Sequence, residues 1–452
     1  MTRPDARHGM LTFGLIWLGQ VVSLVGSGLT EFGLGVWVFQ RTGAATDYAL
    51  IALCISLPQV LVAPLAGTVA DRTDRRLVML LSDCGAALST LAVALLAWNG
   101  QLETWHVYAA VLATSTFAAL QYPAYAALMT QLVPREQLGR ANGMVEMAWS
   151  ASFIVAPLIA AALIEVVSLS GILVVDLVTF GVGVGTLLLA RVPGEPVEQA
   201  SAGEAGTFGT QARAGWTYVA THPALAGLLV YSAVVSLSAG TFNALFAPMI
   251  LSTHSPTVLG ALASIGGVGM LAGGLILTAW GGPRRRVLGV LGTGLVFGLA
   301  LTAIGAQPSW LALAVAVGIY FGCLPFLNGC EQTIWQGAVP SGLQGRVLSM
   351  RRAVEHGAAM LAYLAAGPIA DRLVEPLLAP SGTLAPTVGV ILGTGPGRGI
   401  GLLLVLMGIV ALLATLAASL SPRIRSIEDE RSAAAGDAIV TATVEPVLEP
   451  AA

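Results

Sequence analysis

The stretch Val133-Pro134-Arg135-Glu136-Gln137-Leu138-Gly139-Arg140 returns 206 residues later as Val339-Pro340-Ser341-Gly342-Leu343-Gln344-Gly345-Arg346. Both read V-P-x4-G-R, and both follow a long apolar block. A second landmark repeats at nearly the same interval: Arg75-Arg76 and Arg285-Arg286 are 210 residues apart. Two landmarks at nearly one offset point to a duplicated unit.

The chain around these landmarks is short of charge. It has 452 residues, of which 56% are hydrophobic and 10% charged, and its mean hydropathy is +0.82. Soluble domains carry about 25% charged residues, so this composition could not cover the cores that such a length implies. A soluble enzyme, a disordered chain and a nucleic-acid binder are excluded. The net charge of −3 offers no field that would recruit polyanions. All 21 basic residues are arginine. Cys54, Cys84, Cys323 and Cys330 fall inside apolar blocks without zinc spacing, and read as small hydrophobes. No metal and no cofactor is expected.

A helix needs about 20 apolar residues to cross the hydrocarbon core. Twelve blocks qualify: roughly 11–39, 47–70, 77–98, 105–129, 143–165, 168–191, 224–251, 257–281, 287–306, 309–335, 347–371 and 399–420. They lack the in-out alternation of a membrane barrel, so the expected fold class is all-α. The first block is too long for a cleaved signal and reads as a retained span. With both termini cytoplasmic, 18 arginines fall in inner loops and 3 (Arg41, Arg372 and Arg398) outside. That bias predicts a multi-pass protein of a bacterial cytoplasmic membrane with both ends inside.

The expected division is a six-helix bundle over 1–191, a cytoplasmic linker over 192–222, a second bundle over 223–421 and a tail over 422–452. The linker opens with the Pro/Gly-rich PGEPVEQASAGEAGT. It continues with Phe208, Ala212, Trp216 and Val219 at helical spacing, an amphipathic helix for the membrane surface. Six acids from Glu428 through Glu449 make the tail polar, and disorder is expected there. Parallel halves of this kind are one transporter plan, with the site at the midplane between them.

The loop after the second block reads Gly67-Thr68-Val69-Ala70-Asp71-Arg72-Thr73-Asp74-Arg75-Arg76. It resembles the signature loop of the major facilitator superfamily, G-x-L-A-D-R-x-G-R-R, with Val69 for the Leu and Asp74 for the second Gly. IWLGQVVSLVGSGLTEF, LVPREQLGRANGM, ASFIVAPLIAAALIE and VVDLVTF resemble the macrolide-efflux and siderophore-exporter branch, and the likeness runs over almost the whole chain. It implies twelve helices in two pseudo-symmetric bundles, and proton-driven export of bulky amphipathic molecules. It also implies a cytoplasmic latch made by Asp71 and Arg75 when the site faces outward. Gly67, Arg72, Arg76, Arg140 and Arg346 share these gating loops. Drug antiporters carry G-x-x-x-G-P-x-x-G-G in span five. Here Ser152, Ala156, Ala160 and Ala161 replace the glycines while Pro157 remains. A small face and a kink at Pro157 are therefore expected.

Acids at bilayer depth cost about 2.5–3.5 kcal/mol on insertion scales, so they should face protein or a wet cavity. The resemblance implies that spans 1, 4, 7 and 10 line the cavity, and Glu31 is on span one. It is the first candidate for proton coupling, against a fixed interhelical hydrogen bond. Glu331, Glu355 and Glu146 are further candidates, with an ionic cluster at the inner mouth the favoured reading. Arg140, Arg346, Arg351 and Arg352 lie at the same depth. His356 reads as a packing residue, Asp176 as a structural contact, and Asp83 as support for the inner-mouth network.

Gln20, Gln121, Tyr122, Tyr125, Phe242, Asn243, Phe246 and Asn328 fall on the lining spans and are candidates for the cargo surface. Aromatics supply contact area with little directional demand. No catalytic grouping or phosphate-binding loop is present. The expected protein is a monomeric exporter, not an enzyme, whose partners are a small-molecule cargo, protons and the lipid bilayer. The alternatives are a nutrient importer of the same fold and a membrane receptor or enzyme that does not transport.

Overall fold

The computed structural model describes residues 6–62, 66, 69, 73–190, 208–307, 309–425 and 427. Gly67, Asp71 and Arg72, the first part of the linker and nearly all of the tail lie outside these residues. The described chain is almost entirely helical. In order the helices are α1 (Ala6–Thr42), α2 (Ala45–Leu61), α3 (Arg75–Trp98), α4 (Thr104–Leu132), α5 (Leu138–Leu189), α6 (Phe208–Thr221), α7 (Pro223–Leu251) and α8 (Pro256–Trp280). Then follow α9 (Arg286–Ala306), α10 (Trp310–Ala338), α11 (Ser341–Ile369), α12 (Glu375–Leu378), α13 (Val388–Leu392), α14 (Arg398–Leu420) and α15 (Pro422–Arg425). A π-helical turn, Ala370–Val374, joins α11 to α12.

The helix ends follow local chemistry. Asp74 caps α3 by accepting the Arg76 backbone N–H at 2.9 Å, so the residue that departs from the loop pattern has a structural use. Glu103 and His106 form a reciprocal capping box at α4. Pro223 and Pro256 open α7 and α8, where the missing N–H costs nothing. Gly281, at φ 75°, ends α8 in the left-handed region.

Eight helices among the described residues are long and apolar enough to cross a bilayer. They are α1, α3, α5, α7, α8, α9, α10 and α14. α5 is 52 residues long, more than one crossing needs, and breaks at Ser168, whose φ is 59° and ψ −177°. That break falls between the blocks expected at 143–165 and 168–191. α2, at 17 residues, is apolar but shorter, and α4 and α11 are not among the eight. α11 carries Arg346, Arg351, Arg352, Glu355 and His356 in its first half.

α1 packs along α5, and α3 packs on α4 and α5. Beyond the linker α7 packs on α11 and α14, α10 on α8 and α9, and α9 on α14. The amphipathic α6 leans on α11. Its Tyr218 hydroxyl donates to the Ala338 carbonyl at 2.9 Å and Val219 is buried, while Trp216 is exposed.

The two sides meet through α2 with α7 and α11, and through α5 with α8. Two of the links there share one end of the molecule, where the α1–α2 turn, the α5 break and the α7–α8 turn lie, and a third, from Ser264, lies about two turns further in along α8. Asp371 accepts from Ala45 and Thr46, Thr257 donates to Glu165, and Ser264 donates to the Ile154 carbonyl at 2.7 Å. Small residues permit the approach. A Cβ on Gly260 would stand 2.5 Å from that of Ala161 and 2.7 Å from the Pro157 carbonyl oxygen.

Candidate functional site

A cavity of about 750 Å³ lies among α1 to α5. Its walls are mostly apolar, and three carboxylates reach it from three helices: Glu31 on α1, Asp83 on α3 and Asp176 in the second arm of α5. No arginine or histidine is among the described residues that line it.

Asp83 is buried and bridged by two amides. Gln121 on α4 donates to its Oδ1 at 2.7 Å, and Gln20 on α1 donates to its Oδ2 at 3.1 Å. Gln121 also donates to the Gln20 amide oxygen at 3.0 Å. Three helices thus share one polar knot, as a carboxylate in an apolar wall requires.

Asp176 is bound differently. Its Oδ2 accepts from Thr30 at 2.8 Å and from Thr90 at 3.3 Å. Its Oδ1 accepts from Thr179 at 3.4 Å. Glu31 lines the same cavity and is exposed within it. It has no hydrogen bond or ion pair among the described residues, and Tyr48 lines the same cavity.

The residues named from sequence divide between places. Gln20, Gln121, Tyr122 and Tyr125 line the cavity with Pro157 and Glu31. The Tyr125 hydroxyl is buried without a hydrogen-bond partner among the described residues, and its ring stacks on Phe13 at 6.5 Å. Asn243 and Asn328 are exposed on the other side of the molecule. Phe242 and Phe246 are buried, 4.8 Å apart, in an aromatic cluster with Tyr320 and Phe321. They pack the core of their own side and do not line this cavity.

Glu331 and Glu355 come together through a residue that was not among the coupling candidates. Arg351 is 6% exposed. It reaches Glu331 at 3.5 Å, Glu355 at 2.6 Å and the Gln332 amide oxygen at 3.2 Å. Its guanidinium also lies 5.8 Å from the centre of the Trp335 ring. Ser232 donates to Glu331 from α7. Glu146, Arg140, Arg346 and Arg352 are exposed and stand outside this cluster, and the exposed His356 lies 2.9 Å from the Arg352 carbonyl.

The loop arginines cap helix ends. Arg76 donates to the carbonyls of Leu187 and Leu188, both at 2.9 Å, at the C-terminus of α5. Arg75 donates to the Ala127 carbonyl at 3.3 Å. Cations suit the negative ends of helices.

Outside the spanning helices, burial pushes the Glu375 carboxyl above the usual glutamate range. The backbone N–H groups of Ile400, Gly397 and Gly399 pull it part of the way back. Asp371 was assigned no site role from sequence, and Asp83, expected to support the inner-mouth network, lines the cavity with Gln20 and Gln121 instead. The available signal for Asp83 was a glutamine on each of two other helices near its depth. For Asp371 nothing in the sequence names its partners, which lie more than 320 residues away.

An apolar chamber with three acids and no base among its described lining residues can hold a large amphipathic molecule and favours positive charge over negative. The solved structures it resembles are transporters. The chain superposes on a nucleoside transporter NupG with a TM-score of 0.65, at 14% identity over 90% of this chain and 98% of that one. It matches a bacterial homolog of the human lysosomal transporter Spinster at 0.69, with 14% identity over 91% and 98%. By sequence it is 27% identical to macrolide efflux protein A of Streptococcus pyogenes, over 84% of this chain and 95% of that protein. It is also 27% identical to the multidrug efflux pump Tap of Mycolicibacterium fortuitum, over 79% and 88%. Residues 16–363 match the family described as the Major Facilitator Superfamily, and the chain belongs to that family of membrane transporters.

Proposed function

We propose that the chain is a proton-driven exporter of bulky amphipathic molecules that carry a basic group. The observation that carries this reading is the cavity of about 750 Å³, with mostly apolar walls, three carboxylates and no base on its described lining. A positive group on the cargo gains from that field, and an anionic cargo loses. The names of the relatives, macrolide efflux protein A and multidrug efflux pump Tap, support export of large amphipathic molecules.

The architecture that goes with this reading has twelve crossings in two six-helix bundles. It counts each arm of α5 and adds α2, α4 and α11 to the apolar helices. Arginine placement puts both termini on the cytoplasmic side of a bacterial inner membrane. The end tied by Asp371 and Glu165 then faces outward, and the molecule is shut on that face. The protein works as a monomer. An acid of the cavity takes up a proton from outside and releases it inside as access alternates. Cargo and proton shift the two states only by the difference in their affinities for each. Glu31 is the best placed, because it faces the cavity without a hydrogen bond to lose.

The test uses inside-out proteoliposomes holding the purified chain. Uptake of a macrolide and of ethidium is followed under an imposed proton gradient. Uptake that collapses with an uncoupler is expected. No gradient-dependent uptake of either compound would sink the reading.

A further inference from the structure

The hexad Gly67-Thr68-Val69-Ala70-Asp71-Arg72 that follows α2 has a second copy at the end of α11, Gly367-Pro368-Ile369-Ala370-Asp371-Arg372. Both read G-x-x-A-D-R, 300 residues apart. This interval is not that of the duplicated halves, so the match is not explained by their parallel repeat. It links α2 and α11, the helices that pack against each other across the molecule.

In the second copy the contacts of the acid are visible. Asp371 Oδ1 accepts the backbone N–H of Ala45 at 3.0 Å. Its Oδ2 accepts the N–H of Thr46 at 2.8 Å and the Thr46 hydroxyl at 2.6 Å. These are orphan donors in the first turn of α2, whose own N-cap, Ala44, supplies no side-chain acceptor. A carboxylate from one side of the molecule therefore caps a helix of the other.

The glycine that opens the hexad makes the fit possible. A Cβ on Gly367 would stand 2.5 Å from the Thr46 Cα and 2.9 Å from its nitrogen. The base of the device is held as firmly. Asp371 sits on the π-helical turn Ala370–Val374, and Glu375 just beyond accepts the Ile400 N–H at 3.0 Å, capping α14. A Cβ on Gly399 would stand 2.5 Å from the Glu375 Cα and nitrogen, so α14 has no slack against this turn. One short segment thus caps α14 on its own side and α2 on the other.

We infer that Asp371 and Thr46 form a latch that holds the outward end shut, and that opening this end uncaps α2. The name "outward" rests on the orientation given above. The latch itself does not depend on cargo or proton, and its test uses neither.

Spin labels at Gln101→Cys and Thr383→Cys, exposed positions on either side of this end, report its opening in a chain whose four native cysteines are replaced. The probe is the distance distribution between the labels in lipid nanodiscs. Asp371→Asn keeps the size but loses the second acceptor oxygen. The longer-distance population should then rise about 2- to 30-fold relative to the shorter, the range that one lost helix cap covers. Thr46→Val, which removes only the hydroxyl, should give a smaller rise, and Asp371→Glu should stay nearer the parent than Asp371→Asn. If Asp371→Asn fails to fold, Thr46→Val and Gly367→Ala decide. An unchanged distribution in the folded variants overturns the latch, and so does a shift toward the shorter distance. Loss of gradient-driven uptake with a normal opening response would count against the export reading and leave the latch standing.

Discussion

The amide of Gln121 lies 2.7 Å from the carboxylate of Asp83, joining α4 to α3 inside the cavity. The same amide reaches Gln20 at 3.0 Å, so the acid is fixed by neutral donors and has no cation partner among the described residues. A buried carboxylate held in this way remains a partner for a cationic group of the cargo. Asp83→Asn should cut the transport of a permanently cationic cargo such as ethidium by about tenfold, equivalent to about 1.4 kcal/mol. A neutral amphiphile of similar size should lose less than about twofold. The comparison of initial rates in inside-out proteoliposomes checks this, and equal losses for both compounds would remove Asp83 from charge recognition.

Glu31 differs from its neighbours in having no hydrogen bond to break among the described residues. Protonating Asp83 would disturb two donors, and protonating Asp176 three. Glu31 can change charge at little cost to the surrounding packing. Glu31→Gln should reduce gradient-driven uptake more than tenfold while leaving cargo binding to the detergent-purified protein within about threefold. The readouts are uptake as a function of external pH and binding by fluorescence polarisation. Transport that retains its full pH dependence would place the coupling acid elsewhere.

Much of the architecture was legible because hydrophobic length is a one-dimensional signal. The break in α5 fell where the apolar run became too long to cross once, although Ser168 itself is no obvious breaker. Which way a helix faces was less legible. α7 is apolar all round, so nothing in its pattern distinguishes a cavity face from a core face. Phe242 and Phe246 turn into an aromatic core, while Asn243 between them is exposed. The inner-mouth acids were legible as an ionic cluster, but which of the four arginines at that depth joins them was not. Arg351 joins Glu331 to Glu355, and that bridge depends on how α10 meets α11.

That bridge makes Arg351 a stability residue. Removing a buried cation from between two carboxylates leaves like charges facing each other, a change that costs about 3–5 kcal/mol in buried pairs. Arg351→Met should lower the apparent thermal midpoint of the purified protein by about 5 °C or more. Adding Glu331→Gln to that variant should recover part of the loss, since one of the stranded charges is then gone. A thermal scan of the two single variants and the double variant measures the coupling. Strict additivity would show that the pair contributes nothing.

Glu375 predicts a pH dependence of the opposite sense to the usual carboxylate. Burial raises its carboxyl above the ordinary value of 4.5, so the native protein binds the proton more readily than the unfolded chain. Between that ordinary value and the raised one, the unfolded state holds fewer protons. Stability from this group is therefore full below the window and falls as pH rises through it. The thermal midpoint of the parent minus that of Glu375→Gln should decline from pH 4.5 upward and level off above the raised value. A difference that rises over this range would contradict the assignment.

The contact between α5 and α8 sets a steric limit that can be tested within one helix. Gly260 has no room for a side chain, because a Cβ would stand 2.5 Å from that of Ala161 and 2.7 Å from the Pro157 carbonyl oxygen. Gly274 lies fourteen residues further along the same helix, and a Cβ there would meet nothing within 4 Å. Both replacements lower backbone entropy in the unfolded chain and raise helix propensity, so they differ only in what they touch. Gly260→Val should hold the two sides apart, lowering transport at least about fivefold and raising the reactivity of a cysteine placed at Thr257. Gly274→Ala should leave transport within about twofold and the apparent thermal midpoint equal or higher. Maleimide labelling rates at Thr257→Cys separate a change in closure from simple unfolding, which would expose cysteines on every helix alike. If Gly260→Val transports normally with an unchanged labelling rate, the close approach of α5 and α8 is not part of the transport cycle.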